Sequence, residues 1–332
     1  MSIKYVSVSG YGWTGSSACI DLLKEFSEFD VLHGEFRIAK DPYGLVDLES
    51  SLVNNWDFIR HDIAIRDFLQ YCEFLSRETG LFKKQGGGFS GKLDINFILE
   101  SKAYIDRLTD MTYIGNTFVH RYNISFYRNF IYKVRNKFKK NNGKIMYFSR
   151  PTASFFLKET SGYINNLFTN YVKQNNVSTI VFDNAIPPTN ISNTIKFFHK
   201  MKVIIIDRDP RDVYVELVGE KRLIGSDLAY VDSADKYIKW HKQLRRISVE
   251  DGNNLNINKQ VLRMRFEDLV FKYDESVEKI IKFLGGGMQH DNIGKYFSPV
   301  RSSNNIGLWK NYHDQLVMDK IGKELKRYCY HG

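Results

Sequence analysis

The feature that most limits the folds open to this chain is a strand that runs without a break into a glycine-rich turn and then a helix. Residues 3 to 8, Ile-Lys-Tyr-Val-Ser-Val, are rich in β-branched and aromatic side chains; Gly10, Gly12 and Gly15 follow, and Ala18 to Phe26 reads as a helix. The same grammar returns later in the chain. Thr179 to Phe182 is a short apolar strand, Ile191 to His199 a helix, and Val203 to Ile206 a second buried strand with another helix beyond Pro210. A further strand is expected at Gln260 to Arg265, and the helix of Glu275 to Leu284 stops at Gly285-Gly286-Gly287. Such βαβ spacing predicts an α/β fold with a central parallel sheet flanked by helices. Between about residues 45 and 175 the pattern changes to helical periodicity with many aromatics. We read this stretch as a mainly helical insertion that packs on the sheet and shapes a cleft, within one α/β domain spanning 1–332.

Composition narrows the class. Apolar residues make up 43% and charged residues 26%, with 6 Pro and 23 Gly, a balance of folded rather than disordered chains. Cys19, Cys72 and Cys329 stand far apart, so neither a zinc site nor a disulfide framework is supported, and a reducing, cytoplasmic setting is expected. The N-terminus carries no secretion-signal pattern, and no stretch of about 18 apolar residues occurs. The 48 Lys and Arg against 38 Asp and Glu leave a net charge of +10, which points to a polyanionic, phosphorylated or sulfated partner.

Gly10-Tyr-Gly-Trp-Thr-Gly15-Ser16-Ser17 has the spacing of a phosphate loop, with Ser16 in place of the usual Lys. Glycines let backbone N–H groups wrap an anion closely, the helix start adds partial positive charge, and Ser16 and Ser17 add hydroxyl donors. Gly12, Trp13, Thr14, Gly15, Ser16 and Ser17 are therefore candidate anion-binding residues. The missing Lys argues against a machine that hydrolyses ATP or GTP.

The second turn is Val203-Ile-Ile-Ile-Asp207-Arg208-Asp209-Pro210-Arg211-Asp212, a buried strand followed by a helix start with Pro210 in its first turn. This Arg-x-Pro-Arg-Asp segment resembles the 3′-phosphate-binding segment of the sulfotransferases that use 3′-phosphoadenosine 5′-phosphosulfate (PAPS), and the N-terminal loop then resembles their 5′-phosphosulfate loop. Arg265-Phe266-Glu267-Asp268-Leu269 and Gly307-Leu308-Trp309-Lys310-Asn311 are similar to two further family segments in the family's order. The four matches span residues 6 to 312. The resemblance implies a P-loop-like sulfotransferase fold, PAPS as sulfuryl donor, 3′,5′-adenosine bisphosphate (PAP) as product, and no metal. Arg208 and Arg301 offer planar charged forks to a phosphate, Trp309 a face for stacking, and Arg211 and Lys310 additional charge. Arg208 has a competing structural role, a salt bridge with Asp212 at the helix start.

Two positions depart from the family. Trp13 stands where cytosolic members carry a Lys, and Glu216 stands eight residues beyond Arg208 where they carry a Ser. Glu216 would repel a phosphate unless it turns away. Either other cations such as Arg211, Arg301 or Lys310 serve the donor, or the donor differs or activity is lost; an active enzyme of the looser bacterial carbohydrate-modifying type is the favoured reading.

Sulfuryl transfer needs a base for the acceptor hydroxyl. The resemblance implies a His or a Glu near the end of the strand before Arg208. The His position is Ala185, and the Glu of the saccharide-modifying branch aligns with Asp183, the candidate catalytic base, whose competing role is to cap the next turn. His33, His61 and His120 receive no site role. The expected acceptor is a carbohydrate or glycolipid. Phe126, Phe130, Val134 and Phe138 alternate with Lys133, Lys137, Lys140 and Lys144 at helical spacing, either a solvated basic face or a guide for an acidic glycan or an anionic membrane surface. Nucleic-acid binding and a kinase-like phosphotransfer are the alternatives. The first leaves both phosphate turns unexplained, and the second requires magnesium and a loop cation.

Overall fold

The computed structural model describes residues 3–80, 85–115, 125–137, 144–220, 234–252 and 259–331. The chain forms two compact units, one of Met1–Lys40 with Val172–Gly332 and one of Asp41–Tyr171.

The first unit begins with β1 (Lys4–Gly10), α1 (Ser16–Leu23) and β2 (Phe29–Val31). The second contains α2 (Leu45–Glu49), a π-helical turn (Ser50–Asn54), α3 (Arg60–Ser76), α4 (Phe89–Lys92), α5 (Phe97–Leu108), β3 (Met111–Gly115), α6 (Phe126–Lys137) and β4 (Lys144–Phe148). Helix α7 (Ala153–Asn175) leads back to β5 (Thr179–Asp183), α8 (Ile191–Ile195), β6 (Met201–Asp207), α9 (Pro210–Gly219), α10 (Ala234–Gly252) and β7 (Val261–Arg265). The chain closes with α11 (Phe266–Phe271), α12 (Tyr273–Leu284), α13 (Pro299–Ser303) and α14 (Gln315–Glu324).

The first unit has the expected α/β architecture, a five-stranded parallel sheet in the order β2-β5-β1-β6-β7 flanked by helices. Strand β1 is central and buried on both faces, which is why its residues do not alternate between apolar and polar. Val6, Val8, Ile204 and Ile206 pack with Leu22, Leu23 and Phe26 of the α1 region and Phe266 and Leu269 of α11. On Tyr5 the Phe182 ring stacks at 5.6 Å and the Phe198 ring packs edge-on at 5.9 Å. The two buried serines of β1 fasten the loop that follows β5. Ser7 Oγ accepts from Ile186 N at 3.1 Å, and Ser9 Oγ donates to Ile186 O at 2.5 Å. Because β5 and β6 flank β1, the turns after these strands diverge at one carboxyl edge of the sheet, the place where parallel α/β sheets open a ligand crevice.

The second unit is helical apart from one antiparallel pair, β3 with β4. At its core Tyr104 and Tyr163 stack at 4.5 Å, and their hydroxyls pair with Thr160 and Ser101 at 2.7 Å each. Among the described residues, no helix is long and apolar enough to cross a membrane.

Candidate active site

Three turns meet at the carboxyl edge of the sheet. In the first, Tyr11 N donates to Thr14 Oγ1 at 3.1 Å, closing the loop on itself. A Cβ on Gly10 would lie 2.2 Å from that Oγ1, so the hydroxyl occupies the space a side chain would need. Gly12, Trp13 and Gly15 have φ of 87°, 53° and 85°, a left-handed region that costs a tryptophan free energy. Trp13 is held there from two sides: its indole N–H donates to Glu220 at 2.9 Å, and its carbonyl accepts from Arg208 at 3.2 Å. Helix α1 starts at Ser16 behind Gly15 with no side-chain cap, so the positive end of its dipole faces the loop.

The second turn follows β6. Asp209 caps α9 by accepting from Arg211 N at 2.9 Å, with Pro210 in the first turn. Burial raises the Asp209 carboxyl, but hydrogen bonds from the Arg211 side chain and from Tyr330 N outweigh it and hold the group below its ordinary range. Arg211 reaches Asp209 through both Nε (3.0 Å) and a terminal nitrogen (2.6 Å) and lies 3.7 Å over the Trp309 ring. Arg208 is buried. Its guanidinium donates to the carbonyls of Trp13 and Asn305, pairs with Glu216 at 2.8 Å and rests on the Phe266 ring.

The third turn, Gly307 to Asn311, is bound to the second by Asp212, whose two oxygens accept from Gly307 N at 2.8 Å and Trp309 N at 3.1 Å. Asp212 is thus committed to backbone amides, and the partner of Arg208 is Glu216. Burial pushes the Asp212 carboxyl upward against those two hydrogen bonds. Glu267 joins the assembly by accepting from Asp209 N at 2.6 Å. Arg301 on α13 and Lys310 in the third turn are exposed, and neither forms an ion pair with a described residue. Of the four candidate cations, Arg208 and Arg211 are paired with carboxylates, and Arg301 and Lys310 face none among the described residues.

Asp183 ends β5 in register with Val8, two residues before Gly10 on the neighbouring strand. Its carboxyl accepts no hydrogen bond from a described residue. Burial raises it above the ordinary carboxylate range and Glu35 adds to the rise, while Lys40 and Lys24 pull the other way. Next to it, Asn184 adopts φ 54° and its Oδ1 is buried without a partner.

Sequence patterns gave no sign of Arg245. This buried α10 residue donates to Asp207 at 2.6 Å and lies 4.1 Å over the Tyr11 ring, supporting the glycine loop from 234 residues further along the chain. The hint was Asp207 at the end of an apolar strand, a charge that needs a counterion. His61 is buried in the second unit beside Trp56, and His120 lies outside the described residues. On α6 the apolar arc Phe126, Phe130 and Val134 is exposed, as are Lys133 and, on β4, Lys144; Phe138 and Lys140 lie outside the described residues. No described group of three or more His, Cys, Asp or Glu side chains is placed to hold a metal ion.

No protein-family model matches this sequence, and no curated protein does. Among solved structures, the chain overlaps the sulfotransferase domain of the Synechococcus PCC 7002 olefin synthase at 13% identity and a TM-score of 0.43, covering 100% of this chain and 96% of that one. It overlaps the sulfotransferase STF9 from Mycobacterium avium at 12% identity and a TM-score of 0.39, covering 98% and 76%. A third overlap is with retinol dehydratase in complex with androsterone and the inactive cofactor PAP, at 15% identity and a TM-score of 0.35, covering 99% and 81%. All three TM-scores lie below 0.5.

Proposed function

We propose that this protein is a PAPS-dependent sulfotransferase that transfers a sulfuryl group to a hydroxyl of a carbohydrate or glycolipid. The observation that carries the reading is the meeting of three turns, distant in sequence, at one sheet edge: the glycine loop, the Arg208 turn and the Trp309 turn, locked by Arg208 to Trp13 O and by Asp212 to Gly307 and Trp309. The residues present fit a doubly anionic nucleotide. The loop backbone is packed so closely that a Cβ at Gly10 would meet Thr14 Oγ1 and one at Gly15 the Phe266 ring, and Arg301 and Lys310 are exposed with no ion-pair partner among the described residues.

Bound PAPS supplies a sulfuryl group whose S–O bond to the 5′-phosphate breaks as the acceptor O–S bond forms. The loop amides from Gly12 to Ser17 and the start of α1 bind the 5′-phosphate and favour the charge that grows on it. Arg301 and Lys310 neutralise the remaining phosphate charge, with Trp309 as a stacking face. Asp183 accepts the proton of the acceptor hydroxyl, and its raised carboxyl matches a base that takes a proton from an alcohol. Trp13, a neutral ring, holds the loop and contributes no charge.

Calorimetry with PAP at moderate salt, run beside magnesium-ATP and single-stranded DNA, tests the donor reading. PAP is expected to bind and the other two are not, and Arg301→Ala is expected to weaken PAP by about 10- to 100-fold, the loss of one charge-assisted contact. Preference for magnesium-ATP would favour phosphotransfer instead, and a steep salt-dependent affinity for DNA would favour nucleic-acid binding.

The lipid-linked end of the acceptor range gains support from α6. Phe126 is 85% exposed and Tyr127 77%, and with Phe130, Ile131 and Val134 they span an arc of about 140° at 100° per residue. Residues 121–144 contain eight Lys and Arg and no Asp or Glu. An apolar arc in a purely basic segment fits the surface of an anionic bilayer. The protein is expected to sediment with phosphatidylglycerol vesicles and not with phosphatidylcholine vesicles, and Phe126→Ser with Phe130→Ser to lower the bound fraction about 10-fold or more. Equal sedimentation with both lipids, or no effect of the pair, would overturn the lipid-surface assignment.

A further inference from the structure

Helix α9 carries Glu216, its C-cap residue Glu220 follows one turn later, and both carboxylates serve the glycine loop. Glu220 holds the Trp13 indole. Glu216 holds Arg208, and the pair is unequal: the Arg208 side chain is 3% exposed and that of Glu216 26%. The Arg208 guanidinium lies 2.8 Å from Glu216 and donates to the Trp13 and Asn305 carbonyls, while its Nε is buried with no hydrogen-bond partner among the described residues. A buried guanidinium needs a counter-anion at all times, because an unpaired buried charge is strongly unfavourable. The carboxylate can leave toward water, and the guanidinium has no such route.

A carboxylate and a phosphate present the same kind of oxygen pair to an arginine fork. We propose that Glu216 is an internal counter-anion standing in for a donor phosphate on Arg208, and that it sets how strongly the site distinguishes adenosine nucleotides with a 3′-phosphate from those without. Resting on the PAPS reading above, this adds a residue whose role is specificity. A 3′-phosphate reaches Arg208 only by replacing Glu216, and Glu216 leaves only when a phosphate takes its place. The favourable contact of the incoming phosphate is then offset by the ion pair it breaks, so the 3′-phosphate adds little net affinity in the natural protein. A nucleotide lacking the 3′-phosphate leaves the Glu216–Arg208 pair intact.

The test is calorimetry of PAP and of AMP with the natural protein, Glu216→Ser and Glu216→Gln, with thermal melts to establish folding. The natural protein is expected to prefer PAP over AMP by less than about 10-fold. Both variants are expected to bind PAP about 10-fold tighter or more, with AMP unchanged, since the competing charge is gone and Arg208 takes the phosphate. Glu216→Gln keeps the length of the side chain, and the PAP to AMP ratio of the natural protein needs no variant at all. If PAP binds a folded variant no tighter than the natural protein, or if the natural protein already prefers PAP by about 1,000-fold, the counter-anion role is overturned while the donor reading stands. Absence of PAP binding to all three proteins overturns both.

Discussion

Asp183→Asn is expected to lower kcat by about 100- to 10,000-fold, the range for loss of a positioned general base, and to leave PAP affinity unchanged. The amide keeps the size of the carboxylate, and Asp183 accepts no hydrogen bond from a described residue, so the substitution removes basicity and little else. The pH profile carries a second signature. Activity requires the ionised carboxylate, so the rate falls as pH drops through the Asp183 pKa. Burial first, and Glu35 second, raise that pKa, so the acid limb lies above the ordinary carboxylate value of about 3.9. Glu35→Gln removes a neighbouring negative charge and should move the limb to lower pH. An Asp183 that only caps its turn would alter the melting temperature and leave both the limb and its response to Glu35→Gln untouched. Undiminished turnover of Asp183→Asn would place the base elsewhere.

Gly15→Ala is expected to destabilise the protein by roughly 2–5 kcal/mol and to abolish measurable PAP binding, from two additive causes. At φ 85° an L side chain is strained, and a Cβ there would lie 2.4 Å from the Phe266 ring, which is itself buried beneath Arg208. The ring cannot move away without disturbing the Arg208 contacts that hold Trp13. Gly162→Ala is the matched control. Gly162 lies within α7 with nothing within 4 Å of an added Cβ, so that substitution should stabilise by about 0.5–1 kcal/mol. Urea melts of the two variants should therefore shift in opposite directions. Equal midpoints, or full PAP affinity in Gly15→Ala, would remove the loop from the donor site.

The difference in legibility between elements has a physical basis. The turns after β1 and β6 could be read because the signals are local: Gly12 and Gly15 supply left-handed backbone, and Asp209 with Pro210 starts α9 within four residues of the strand. Strand β2, three residues long, is too short to show a period. Strands β3 and β4 become strands by pairing with each other across a separation of 28 residues, and neither signals a strand by itself. The partner of Arg208 was legible only as a nearby acid. Asp212 is nearer in sequence than Glu216, but backbone amides from Gly307 and Trp309 occupy it, and those donors arrive from 95 and 97 residues away.

What the sequence determined by itself was chemistry fixed within a few residues: two anion-compatible turns, their glycines, the helix caps and the charge of each side chain. Which charges face a ligand and which face each other was decided only by the tertiary structure. Arg208, Arg211, Arg301 and Lys310 read alike as candidate cations, yet packing beside carboxylates commits the buried Arg208 to Glu216 and the half-buried Arg211 to Asp209 and leaves the last two exposed. An arginine carries its charge wherever it stands, but its counter-anion is whichever acceptor the fold brings within about 3 Å, and that distance is set by packing among elements far apart in the chain.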